Sequence, residues 1–126
     1  MGDGLDILLV ERDGRVRDLV TAFLGRAGYR IETTPDPAEA FARVRERPPS
    51  LIITEILLPK RDGLVLCRDL KADPALRAVK VVVLSMLSAS ARAEEAGADA
   101  FLRKPVSEPQ LLDTVRRLVP DPPGGS

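Results

Sequence analysis

Four short runs of apolar residues constrain this chain more than anything else in it: Ile7-Leu8-Leu9-Val10, Leu51-Ile52-Ile53, Val81-Val82-Val83-Leu84 and the weaker Ala100-Phe101-Leu102. A strand with one wet face alternates apolar and polar residues. A near-continuous run instead fits a strand covered on both faces, as in a parallel sheet between two layers of helix. Tyr29-Arg30-Ile31-Glu32-Thr33 does alternate, which predicts an edge strand with one wetter face.

Helical periods lie between the runs. Val16, Leu19, Val20, Phe23 and Leu24 fall at i, i+3, i+4, i+7 and i+8 and predict an amphipathic first helix. A second helix opens at Asp36, with Pro37 in its first turn and Glu39 three residues after the cap; the last opens at Ser107, with Gln110 placed likewise. A third is expected from about Leu64 to Ala72, with Cys67 a small core residue on it. The fourth candidate, Ser88 to Ala96, is mostly Ala and Ser and should be the least stable helix. Five strands alternating with five helices predict a doubly wound α/β domain over residues 1–119, strand order 2-1-3-4-5, with 120–126 a tail or linker.

Composition narrows the function. Nineteen Lys and Arg balance nineteen Asp and Glu, so no net field draws this segment to nucleic acid or to an anionic membrane. One cysteine cannot form an internal disulfide, and the chain has no histidine, the commonest metal ligand and general base. A reducing cytoplasm is the expected setting. Without a Gly-rich phosphate loop or a nucleophile at a strand end, a small flavodoxin-like enzyme ranks last and no catalytic activity is expected.

In an open parallel sheet the working crevice lies at the carboxyl ends of the strands, beside the reversal of strand order. The residues just past each run therefore matter most: Glu11, Arg12 and Asp13 after the first, Glu55 after the third, Ser85 ending the fourth, Lys104-Pro105 after the fifth. Two acids, a hydroxyl and an amine should converge there. The Lys104–Pro105 bond is a candidate for the cis form. Asp62-Gly63 reads as a turn.

Through ILLVERD (7–13), LIITEILLPKRDG (51–63), VVVLSM (81–86) and GADAFLRKP (97–105), the chain resembles the receiver domains of two-component response regulators over nearly its whole length. The resemblance implies a switch in which a sensor kinase passes a phosphoryl group to an aspartate after the third strand, with magnesium held by that residue and two acids after the first. It places the first acid at Glu11, the phosphate-sensing hydroxyl at Ser85, the lysine at Lys104 and the switch aromatic at Phe101, for which core packing is the default reading. It implies a sensor kinase, an effector domain or another signalling protein as partner, and leaves a homodimer open.

Two positions depart from that pattern: Glu55 stands at the phosphoacceptor and Arg12 at the second acid. Glutamate carries its carboxylate one methylene further out, and about 1 Å of misplacement can cost on the order of a hundredfold in rate. Glu11 and Glu55 against Arg12 and Lys104 also leave the pocket neutral, where the family pattern is net negative. At about 4 Å and an effective dielectric near 20, each unit charge is worth roughly 4 kcal/mol. These departures predict a degenerate receiver, a phosphorylation-independent interaction module with no cofactor, the alternative being a conventional phosphoacceptor that binds magnesium. Any metal would fall to Glu11, Asp13, Glu55 and Leu57. Asp13 is expected to cap the first helix instead. Arg12 is expected to fill the metal's place and pair with Glu55 or Glu11; in the rival arrangement Glu55 reaches Lys104 and Ser85. The segment from Ser85 to Gly97 is about one helical turn shorter than the family has there, so the fourth helix should be clipped.

Overall fold

The computed structural model describes residues 5–119, so the expected tail at 120–126 lies outside the described residues. Ten elements alternate along the chain: β1 (Ile7–Val10), α1 (Gly14–Arg26), β2 (Ile31–Thr34), α2 (Pro37–Glu46), β3 (Leu51–Thr54), α3 (Gly63–Ala72), β4 (Lys80–Ser85), α4 (Ser90–Glu95), β5 (Ala100–Arg103) and α5 (Glu108–Leu118). All strand pairs are parallel, in the order β2-β1-β3-β4-β5, as expected.

The first three apolar runs form the buried centre of the sheet, because each residue in them faces one helical layer or the other, while Ala100-Phe101-Leu102 lies in the edge strand β5 and is only partly buried. Ile7, Leu9, Ile53, Val82 and Leu84 pack against Val20 and Leu24 of α1 and Leu111 and Val115 of α5. Leu8, Val10, Ile52, Val81 and Val83 pack on the opposite side against α2, α3 and the alanines of α4. Cys67 is buried in this second layer, its thiol donating to the Ala96 carbonyl, and burial pushes its pKa up to about 11.

Cap chemistry sets the helix starts. Asp13, Asp36 and Asp62 each accept backbone N–H bonds from the first turn they precede, and Ser107 with Gln110 forms a reciprocal capping box. Glu39, spaced for the same box, does not close it. Its carboxylate takes the Thr34 hydroxyl at 2.6 Å and Arg43 at 2.9 Å, charge-assisted partners that outcompete the cap amide. The fourth helix is shorter than the expected Ser88–Ala96. Only Ser90–Glu95 is helical, and its N-cap residue Ala89 has no side chain that could hold the first turn.

Leu19 departs from the predicted stripe of α1. It is 47% exposed, because the layer contact covers Val20 and Leu24 and stops short of it.

Candidate functional site

The sheet ladders carry the pocket residues into place. The Glu11 N–H donates to the Thr34 carbonyl, the Glu55 N–H to the Val10 carbonyl and the Lys104 N–H to the Ser85 carbonyl, each at 2.9–3.0 Å. Every one of these bonds fixes the first residue past a strand against its neighbour. Glu11, Glu55 and Ser85 are consequently buried and converge at the reversal of strand order, with Lys104 reaching in from the Lys104–Pro105 turn, whose peptide bond is cis.

Lys104 is the centre of the pocket. Its Nζ donates to Glu55 Oε2 at 2.7 Å and lies 2.9 Å from Glu11 Oε1. Among the described residues this ammonium is the one polar partner of that buried oxygen. Glu11 Oε2 accepts the Asp13 N–H at 3.1 Å. Glu55 Oε1 folds back to accept the amides of Ile56 at 2.6 Å and Leu57 at 3.3 Å, and the Ser85 hydroxyl, which accepts the Leu87 N–H at 3.3 Å, favours the charged form of this carboxylate. Burial by itself would raise the Glu55 pKa. The bonds from Lys104, Ser85 and the Ile56 amide outweigh it and hold the carboxyl below its usual range. Burial likewise opposes charge on Lys104, and Glu55 and Glu11 together hold its pKa above the ordinary value.

Arg12 does not take the metal's place. It is exposed and makes no ion pair among the described residues, so the expected pairing with Glu55 or Glu11 is corrected in favour of the rival arrangement through Lys104 and Ser85. The chain bends at Arg12 directly after β1, with Glu11 buried before the bend and Arg12 exposed on it. Arg12→Ala should therefore change the unfolding free energy by less than about 0.5 kcal/mol, the ordinary scale for an exposed residue, as read from urea denaturation.

The donor set does not suit a divalent cation. Such an ion needs several oxygens at one point, whereas here Glu55 is divided between two amides and Lys104, and Asp13 caps α1 by accepting the Arg15 N–H at 2.9 Å. Leu57 presents its amide to Glu55, and its side chain is 50% exposed. Among the described residues, no three acids, histidines or cysteines are grouped to hold a metal.

Phe101 is half-buried and packed on the α2–α3–α4 layer. Gly63 approaches the site far more closely than a surface turn would. Its N–H donates to the Ile56 carbonyl at 2.8 Å, and a Cβ there would lie 1.9 Å from the Glu55 carbonyl oxygen. Asp62-Gly63, read as a turn, is the start of α3 wedged against the backbone of Glu55.

Comparison with known proteins agrees with this geometry. The response regulator receiver domain family matches residues 7–116. Among curated relatives, the transcriptional regulatory protein GltR of Pseudomonas aeruginosa is 32% identical, the match covering 93% of this chain and 50% of that protein. Protein PilG of the same organism is 28% identical, over 94% of this chain and 90% of its own length. The chain thus spans about half of GltR and most of PilG. Among solved structures, the signal receiver domain of a signal transduction histidine kinase from Syntrophus aciditrophicus superposes with a TM-score of 0.85 at 36% identity, covering 91% of this chain and 89% of that one.

Proposed function

This chain belongs to the response regulator receiver domain family, and from that premise we propose that it serves two-component signalling as an interaction module whose partner binding does not wait on phosphoryl transfer. Receiver domains are signalling modules that engage sensor kinases and effector domains, and no helix among the described residues is long and apolar enough to cross a membrane.

The observation that carries the proposal is the state of the Glu55 carboxylate. Lys104 and the Ile56 amide already hold it and the Ser85 hydroxyl favours its charged form, so two of these groups, Lys104 and Ser85, are the ones that the family pattern gives to a phosphoryl group at this position. The mimicry is partial in charge, since a carboxylate carries one negative charge where a phosphate carries about two. It is constant, because nothing has to be transferred. A receiver so arranged presents one surface to its partner at all times.

The test is phosphorylation itself. Incubated with acetyl phosphate and magnesium, the domain should show by intact-mass spectrometry no species heavier by one phosphoryl group. Millimolar magnesium should leave its thermal midpoint unchanged, since an ion that does not bind the native state cannot stabilise it. The double variant Arg12→Asp with Glu55→Asp supplies the missing acid and shortens the acceptor, and should gain both responses. A phosphorylated wild-type species would establish a conventional phosphoacceptor instead.

A further inference from the structure

The sheet has two edges, and β2 is one of them. The Ile7 and Glu11 N–H groups donate to the carbonyls of Arg30 and Thr34, so β2 spends alternate residues on β1. Ile31 and Thr33, one residue out of phase, turn their own N–H and C=O groups away from it. Such an open row of backbone donors and acceptors is a template for another strand, and folded proteins usually blunt it with lysine, proline or a bulge. None of these devices is present from Ile31 to Thr33. The register against β1 runs unbroken, and the one charged side chain, Glu32, is tied back to Arg43 at 3.1 Å and Arg47 at 3.2 Å.

The charges along this edge complement themselves. Arg30, at its start, is exposed and in no ion pair among the described residues. At its end the Thr34 hydroxyl donates to Glu39 at 2.6 Å, which fixes a carboxylate of a half-exposed side chain beside the strand. A second copy laid antiparallel about a two-fold axis at Glu32 sets Ile31 of each chain opposite Thr33 of the other. Both pairs then exchange N–H···O bonds, and their β-branched side chains meet on the α1 side of the sheet. On the other side Arg30 falls opposite Thr34 of the second copy and so reaches the Glu39 held there. The two Glu32 side chains approach at the axis, where like charges would repel, but each already has two guanidinium partners. A cavity of about 450 Å³ lined by Leu5, Glu32, Arg43, Glu46 and Arg47 opens on this side of β2 and leaves these side chains room. A two-fold contact requires a patch to match itself in this way, which singles out a second copy as the occupant.

We propose that β2 pairs antiparallel with β2 of a second copy of this chain, joining two five-stranded sheets into one. The inference goes beyond the interaction-module reading, because β1 stands between this edge and the strand that carries Glu55.

Sedimentation velocity over about a hundredfold range of concentration, into the millimolar region, should show a reversible monomer–dimer equilibrium in the wild type. At the concentrated end the amides of Ile31 and Thr33 should exchange with deuterium at least about tenfold more slowly than at the dilute end, while those of Glu32 and Thr34, turned to β1, keep their rates. Thr33→Pro removes one donor from each pair, at a position where an edge strand tolerates proline because the N–H faces outward. It should fold, by circular dichroism, and sediment as a monomer throughout. Arg30→Glu changes an exposed residue and should weaken association at least about tenfold and remove most of its salt dependence. A wild type that is monomeric at every concentration would overturn the proposal and leave the edge to a strand from another protein. So would a dimer without added protection at Ile31 and Thr33, or one that keeps its wild-type strength in Arg30→Glu or in a folded Thr33→Pro chain, since the contact would then lie on another face. If Thr33→Pro does not fold, the exchange rates and Arg30→Glu decide.

Discussion

Gly63→Ala should be among the most damaging single changes in this protein, lowering its stability by about 3 kcal/mol or more although it adds one methyl group. The backbone of Gly63 has ordinary torsion angles, so the demand for glycine here comes from proximity. An added Cβ would sit 1.9 Å from the Glu55 carbonyl oxygen, 2.9 Å from its carbonyl carbon and 3.0 Å from Thr54 Oγ1. A flexible side chain could move aside, but the first two are main-chain atoms. Glu55 is pinned to β1 by its own N–H bond to Val10, and Gly63 to Ile56 by the bond that starts α3. Relief requires either the start of α3 or the end of β3 to move, and both position the acceptor. Urea denaturation should show the loss, and a thermal scan a midpoint lower by roughly 10 °C. A substitution tolerated within about 0.5 kcal/mol would mean that the α3 start is far more plastic than its contacts suggest.

That contact also illustrates what the sequence could and could not disclose. Periodicity records burial, and the four apolar runs therefore announced the sheet, its parallel pairing and its strand order through the crossovers they imply. Cap residues record unpaired amides, so Asp13, Asp36 and Ser107 marked their helix starts, whereas Asp62, read as part of a turn, proves to be the cap of α3. Distances between elements leave no such trace. Asp62-Gly63 has the composition of a turn whether or not its backbone touches Glu55. The edge of a packed layer is equally silent, since Leu19 has the spacing of a core residue and stands where coverage ends.

The site was legible as a set of chemical types and illegible as a set of directions. Glu11, Glu55, Ser85 and Lys104 could be placed at the crevice because each follows or ends a strand. Which cation would answer the acids depended on where the chain turns after β1, and charge counting weighs Arg12 and Lys104 alike. The chain bends at Arg12 and leaves it exposed, while Glu11 is buried against Lys104.

Lys104→Met should cost about 3–5 kcal/mol at neutral pH, because it keeps much of the side-chain volume and leaves two buried carboxylates without their cation. Glu11 Oε1 has only the charge of Lys104 at 2.9 Å, and Glu55 Oε2 loses a 2.7 Å bond. The pH dependence separates this explanation from simple loss of packing. In the wild type the Glu55 pKa is lowered on folding, so its contribution is present above the unfolded value of about 4.5 and fades as pH falls through the folded one. The raised pKa of Lys104 adds a contribution that is present below about 10.5 and is lost as pH rises through its folded value. Wild-type stability from this pocket is therefore a plateau between those limits. In Lys104→Met the surviving acids gain protons on folding, their pKa values move up, and the folded state binds more protons than the unfolded one. Stability must then rise as pH falls from 7 toward 5, where the wild-type contribution from this pocket stays level. Adding Glu55→Gln to Lys104→Met removes one of the stranded charges and should restore part of the loss and flatten that slope. Chemical denaturation of the three proteins at pH 5 and pH 7 measures every term. A Lys104→Met protein with the wild-type slope would show that Lys104 contributes bulk to the pocket and that its charge is dispensable.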